Sequence, residues 1–161
     1  MAENNPKEQR RAGGSRKNMR RRARELAMQG LYQWQLTGKN PDAIAAELAE
    51  SRDFDRSDAA YFRTLLKGAV DHAAELEAHI TPSLDRKFRE LSPVERGILL
   101  LAGYELLCEL EVPYRVVINE AVELAKAYGG TDGHKYVNGV LDKLAQGLRE
   151  IEVRGERAAR T

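Results

Sequence analysis

The chain has 161 residues, of which 42% are hydrophobic, with 26 Lys+Arg against 25 Asp+Glu. That suits one domain, or one domain plus tails. The lone Cys108 excludes an intrachain disulfide and a cysteine-based zinc site, no apolar run approaches the ~18–20 residues of a membrane span, and the polar start lacks the apolar segment of a secretory signal, so a cytoplasmic location is expected. The net charge of +1 hides an asymmetry: residues 1–24 hold nine basic and two acidic residues, a net of +7, and the remaining 17 basic and 23 acidic residues give −6. A basic arm on an acidic body points to nucleic acid or an acidic membrane surface.

Residues 1–14 are polar and contain Gly13-Gly14, so a disordered basic arm is expected over residues 1–18. A helical period begins near Ser15, with Met19, Ala23, Leu26, Ala27, Gly30, Leu31 and Trp34 on one stripe, and Thr37-Gly38 ends it. Asn40-Pro41-Asp42 is a helix start, with a cap, a proline in the first turn and an early acid; Ile44 and Leu48 follow. A third helix is expected from near Ser57 to Ile80, stopped by Thr81-Pro82, and a short one over Pro82 to Glu90. Ser92-Pro93-Val94-Glu95 has the form of a capping box. The run it opens, Ile98 to Leu110, is apolar nearly all round and is expected to be the central buried helix. Val112-Pro113 breaks the chain, Arg115 to Tyr128 forms the next helix, and Gly129-Gly130 closes it. The last helix starts near Thr131-Asp132 and buries Val137, Val140, Leu141, Leu144 and Leu148; residues 150–161 are expected to be a flexible tail. No period-2 alternation supports a strand, so the expectation is an all-α domain of about seven helices over residues 19–149.

Signals of catalysis or metal binding are weak. His72, Glu75 and His79 share a helix face, but a solvated polar face explains them better than a metal site. Gly129-Gly130-Thr131-Asp132-Gly133 lacks the Gly-Lys-Ser/Thr ending of a phosphate loop and follows a helix. Cys108 is expected to be a buried small hydrophobe, and Glu105 and Glu109 to lie on the one polar edge of the central helix. Neither a cofactor nor a metal is expected.

The basic arm is the stronger signal. Arg16, Lys17, Arg20, Arg21, Arg22 and Arg24 place six positive charges within nine residues, a density suited to neutralising phosphates. At about 100° per residue, Tyr32 projects almost opposite the apolar stripe, on the side of Arg21, Glu25 and Met28. An outward aromatic on a basic helix makes a stacking platform for an unpaired base; a tyrosine packed under a loop is the alternative. Asp132, Gly133, His134, Lys135 and Tyr136 cluster at the start of the last helix, where free N–H groups attract phosphate and Asp132 is expected to cap.

These residues fall within four ordered segments that resemble the bacterial NusB family. They are Arg20-Arg21-Arg22-Ala23-Arg24-Glu25-Leu26-Ala27 with Leu31-Tyr32 and Trp34; Leu91-Ser92-Pro93-Val94-Glu95-Arg96 with Gly103-Tyr104-Glu105-Leu106; the run Val112 to Lys126; and the run Gly133 to Lys143. The resemblance spans about Arg20 to Leu148. It implies two three-helix bundles packed together, and a non-enzymatic antitermination factor. The partners implied are single-stranded boxA RNA of ribosomal RNA leaders, NusE (a 30S ribosomal protein) and the RNA polymerase antitermination complex. Its RNA contacts carry over to Arg20, Arg21, Arg22, Arg24, Tyr32, Asp132, Lys135 and Tyr136, and its NusE face to Glu95, which a capping role explains equally well. Two other readings stand beside it. One is an RNA-binding domain related to ribosomal RNA cytosine methyltransferases, which carry a cofactor domain and a catalytic cysteine; the other is a helical adaptor whose basic arm is incidental. Asn138 is expected to bond between helices. Gly97 and Gly103 imply close helix packing at unlocated positions.

Overall fold

A computed structural model of the chain describes residues 6–52 and 54–160, with side chains described from Arg16 onward. Among these the fold is all-α. The eight helices are α1 (Pro6–Thr37), α2 (Pro41–Ala49), α3 (Ala59–Asp71), α4 (Ala73–Ile80), α5 (Pro93–Cys108), α6 (Tyr114–Tyr128), α7 (Gly133–Leu148) and α8 (Glu150–Arg160). Helices α1, α2 and α3 pack as one bundle and α5, α6 and α7 as a second; α1 against α5 joins them, and α4 sits against α5 and α7.

The local signals act where expected. Gly38 adopts φ +66, the left-handed conformation that closes a helix, and its N–H bonds Trp34 O at 2.9 Å. Asn40 Oδ1 accepts from Asp42 N, Asp58 Oδ1 from Tyr61 N, and Ser92 Oγ from Glu95 N. The close packing sought for the central helix is located. A Cβ on Gly97 would meet Leu31 and Gln35 of α1, and one on Gly103 would meet Leu76 and Ile80 of α4. Gly68 is tighter: a Cβ there would lie 2.3–2.7 Å from the ring and hydroxyl of Tyr104.

Several boundaries differ from expectation. Helical backbone begins at Pro6, well before Ser15, so most of the expected 1–18 arm continues into α1; residues 1–5 lie outside the described residues. The helix expected from Ser57 to Ile80 breaks at His72 (φ −104, ψ 12), whose Nδ1 lies 2.8 Å from Gly68 O. The short helix expected over Pro82–Glu90 is two 3-10 turns, Thr81–Ser83 and Phe88–Glu90. The expected tail is helix α8, seated by buried Val153 and by Glu152, which accepts from Tyr114 N at 2.9 Å. The hinge residue Arg149 is buried. Its guanidinium donates to the carbonyls of Glu105, Leu106, Glu109 and Val112, satisfying the C-terminal end of α5.

Residues at the C-terminal end of α5 also correct the sequence reading. Cys108 is exposed, because it lies at the C-terminal end of the helix. Glu105, expected on a polar edge, is 1% exposed; Glu109 is half-buried with Tyr104 Oη 3.5 Å away. On α7, Asn138 is exposed and bonds to no other helix among the described residues.

Candidate nucleic-acid interface

Helix α1 distributes Arg20 to Arg24 around its axis in steps of about 100°, just over one turn, so that Arg21 and Arg22 face away from Arg20 and Arg24, which both lie over Tyr61. Arg24 points inward. It is 5% exposed, and its Nε and Nη2 donate to Glu105 Oε1 and Oε2 at 2.8 and 2.9 Å, while Tyr61 Oη donates to Glu105 Oε2 at 2.6 Å. Burial and the neighbouring Glu105 carboxylate push the Tyr61 hydroxyl well above the usual tyrosine range. This corrects the sequence expectation for Arg24. One edge of its guanidinium, Nε and Nη2, is taken by a carboxylate inside the core, so it holds α1 to α5.

The other three remain at the surface. Arg20 lies 4.2 Å over the ring of Tyr61, with Nε 3.8 Å from Asp58. Arg21 is half-exposed and makes a two-pronged pair, both bonds 3.0 Å, with the buried carboxylate of Glu120 on α6; that pair raises its pKa. Arg22 pairs with Glu25 at 2.6 Å. Arg16 and Lys17, one turn earlier, are exposed and enter no ion pair among the described residues.

Tyr32 is 39% exposed, as its position opposite the stripe requires. It lines a surface cleft of about 350 Å³ with Met28, Gln29, Gln33, Val94 and Tyr128. Tyr128 ends α6, beyond Glu120 on the same helix, so Arg21 and Tyr32 both meet α6. Val94 and Glu95 open α5, and Glu95 Oε1 lies 3.2 Å from where a Cβ on Gly133 would sit. Gly133 is the first residue of α7. The outward tyrosine and the start of the last helix, unrelated in sequence, thus flank the same end of α5. The contact is close enough that a side chain at 133 would push the Glu95 carboxylate aside by a few tenths of an ångström.

At that end Asp132 and Lys135 are both largely exposed and lie 3.5 Å apart. Asp132 makes no side-chain capping bond, contrary to expectation: its carboxylate faces Lys135 instead. The α7 N–H groups are therefore left uncapped by a side chain. Tyr136 turns to the loop after α4. Its hydroxyl donates to Asp85 Oδ1 at 2.9 Å, and Arg86 lies 4.7 Å over its ring. The Arg86 guanidinium, with help from the Tyr136 hydroxyl, holds the Asp85 carboxyl down at about 2. Glu95 also lies close enough to Arg86 to favour its charge, which places Tyr136, Glu95 and Gly133 in one neighbourhood.

The structure adds Tyr128, Glu120 and the Asp85–Arg86 pair to the residues read from sequence. Tyr128 had a signal, an aromatic just before a Gly-Gly stop. Glu120 and Asp85 had none, since only their tertiary neighbours distinguish them from other surface acids. On the α3–α4 face, His79 pairs with Glu75 at 3.9 Å and His72 contacts Tyr104, and no group of three metal-ligating side chains gathers among the described residues.

Residues 21–146 match the NusB family profile. The transcription antitermination protein NusB of Nitrosomonas europaea is 57% identical over 137 residues, which cover 85% of this chain and 82% of that protein. Among solved structures, NusB of T. maritima aligns with a TM-score of 0.72 at 32% identity, over 78% of this chain and 89% of that one. A chain from the crystal structure of the antitermination factors NusB and NusE in complex with dsRNA aligns with a TM-score of 0.68 at 31% identity, over 79% of this chain and 96% of that one.

Proposed function

This chain belongs to the NusB family, and from that premise we propose that the face joining α1, the start of α5 and the start of α7 is where it takes up RNA. It is a transcription antitermination protein that works with RNA and NusE. The RNA of its relative's complex is double-stranded; for this chain we infer a single-stranded, boxA-type segment of a ribosomal RNA leader. The observation that carries this reading is the exposed Tyr32 beside Tyr128, on a shared end with the uncapped α7 start. An aromatic ring with an open face stacks on an unpaired base and has no access to one inside a duplex.

In this reading Arg20, Arg21, Arg22 and Lys135 neutralise phosphates. Arg16 and Lys17 are the cations with the least competition, because Arg21 must share its fork between Glu120 and an incoming phosphate. Asp132 accepts from a base amino group, and Tyr136, held by Asp85 and Arg86, borders the same track. Arg24 serves by fixing α1 in place. The acidic body, net −6 outside residues 1–24, favours basic NusE, and Glu95 belongs to that contact. The role is regulatory, without a catalytic step, within a cytoplasmic RNA polymerase complex.

The test is RNA binding by fluorescence anisotropy, boxA against a scrambled sequence, with and without NusE, at several salt concentrations. Four phosphate contacts to a single strand give a log–log salt slope of about −3. A slope near zero, or equal affinity for the scrambled RNA in the presence of NusE, would overturn the mechanism. Glu95→Lys is expected to weaken NusE binding more than binding of RNA alone; equal losses with a lower melting temperature would assign Glu95 to its helix cap instead.

A further inference from the structure

A second cleft, of about 380 Å³, lies on another side of α1. It is bounded by the end of α1, α4, the Phe88–Glu90 turn and α5. Trp34, which contributes its wall, is two positions beyond Tyr32 and so about 200° further round the helix. Trp34, Phe88 and Leu100 supply apolar surface, and Arg89, Arg96 and Glu77 the charge. Neither arginine enters an ion pair among the described residues. Arg96 Nε is buried and has no hydrogen-bond partner among the described residues. Arg96 as a residue is partly exposed and lines the cleft, so its charge is held there with no carboxylate partner among the described residues.

We propose that this cleft docks an acidic segment of a protein partner: one carboxylate on the Arg96 fork, flanked by an apolar side chain against Trp34 and Phe88. Two cations against one acid favour an anion here, and a carboxylate matches the planar guanidinium with two parallel bonds. The apolar wall gives a neighbouring leucine or phenylalanine a place to bury surface. Glu77 repels a string of phosphates more than a single carboxylate, which favours peptide over RNA. This chemistry is the reverse of that on the acidic body, so the cleft selects a different partner from the basic one. The inference does not depend on the RNA reading, because the lining residues are not shared with the Tyr32 cleft.

The experiment is an NMR titration of the full ¹⁵N-labelled chain with two tripeptide probes, acetyl-Phe-Glu-Leu-amide and acetyl-Phe-Lys-Leu-amide, and with oligouridylate RNA. The glutamate probe is expected to move the Trp34 indole and Arg96 Nε–H signals, and the lysine probe to leave them in place. Arg96→Met is expected to weaken the glutamate probe about tenfold or more, while leaving the melting temperature equal to or above that of the parent, since it removes an unpaired donor. Arg89→Gln should weaken the probe with no change in melting temperature. The proposal is overturned if those signals stay still at millimolar glutamate probe, if the lysine probe moves them equally, or if only the RNA moves them. A melting temperature lowered by Arg96→Met would also overturn it, by assigning the residue a structural role.

Discussion

Arg24 and its neighbours in the arginine run should behave oppositely when truncated. In Arg24→Ala the Glu105 carboxylate, 1% exposed, keeps the Tyr61 hydroxyl and loses both guanidinium bonds. Leaving one partner of a buried ion pair uncompensated costs about 3–5 kcal/mol. That is a fifth or more of the ~5–15 kcal/mol that holds a typical domain together. For a chain of this size it corresponds to a fall in melting temperature of about 6–20 °C. Arg20→Ala, at an exposed site, should cost no more than about 1 kcal/mol. Removing both charges, in Arg24→Met with Glu105→Leu, should recover much of the loss, because the desolvated carboxylate goes with its partner. Urea denaturation followed by circular dichroism gives the stabilities. Anisotropy with boxA RNA, at a temperature where each variant is folded, gives the affinities. Arg24→Ala should leave RNA affinity within about twofold of the parent. A stability loss under about 1 kcal/mol together with an RNA defect as large as that of Arg21→Ala would refute the assignment of Arg24 to the core.

Three further outcomes are expected. Tyr32→Ala should weaken RNA binding by ~1–3 kcal/mol with helicity unchanged; unaltered affinity would remove Tyr32 from the interface. Gly68→Ala should destabilise by ~1–3 kcal/mol in chemical denaturation, because the added methyl overlaps the Tyr104 ring, and a neutral result would show that the ring moves aside freely. Stability should also fall at alkaline pH. Burial, then the charge of Glu109, pushes the Tyr104 hydroxyl up to about 12, above the ~10 of an unfolded tyrosine, so the folded state keeps a proton that the unfolded state releases. The stability contribution is complete below about pH 10 and is lost up to about pH 12, a total of about 2–3 kcal/mol. Tyr104→Phe should flatten that limb in part, since Tyr61 shifts in the same direction, and an unchanged limb between pH 10 and 12 would refute the attribution.

The elements legible in sequence were those set by local chemistry. Ser92, Asn40 and Gly38 work within one turn of their own backbone, so their residue types sufficed to place the ends of α5, α2 and α1. Tyr32 could be read as outward from helical period alone, and it is. The expectation failed where a distant neighbour overrode the local pattern. Glu105 read as polar edge because a carboxylate in an apolar helix is normally exposed, until Arg24 and Tyr61 reach it from α1 and α3. Arg24 read as one more phosphate contact because charge density carries no direction. The C-terminal segment read as frayed because Arg149 and Glu152 look like solvated charges, whereas they bond the end of α5 and the start of α6.

The sequence by itself determined the all-α class, the capped ends at Gly38, Asn40 and Ser92, the separation of charge into +7 and −6, and the family. All of these follow from residue type, spacing along one chain, or ordered motifs. Tertiary structure alone decided which arginines are available and that Tyr32, the start of α5 and the start of α7 share an end. It also set aside the unpaired Arg96 in its cleft. The reason is physical: a helix fixes the angle at which each side chain leaves it, but the partner waiting at that angle belongs to another helix, and only packing brings the two together.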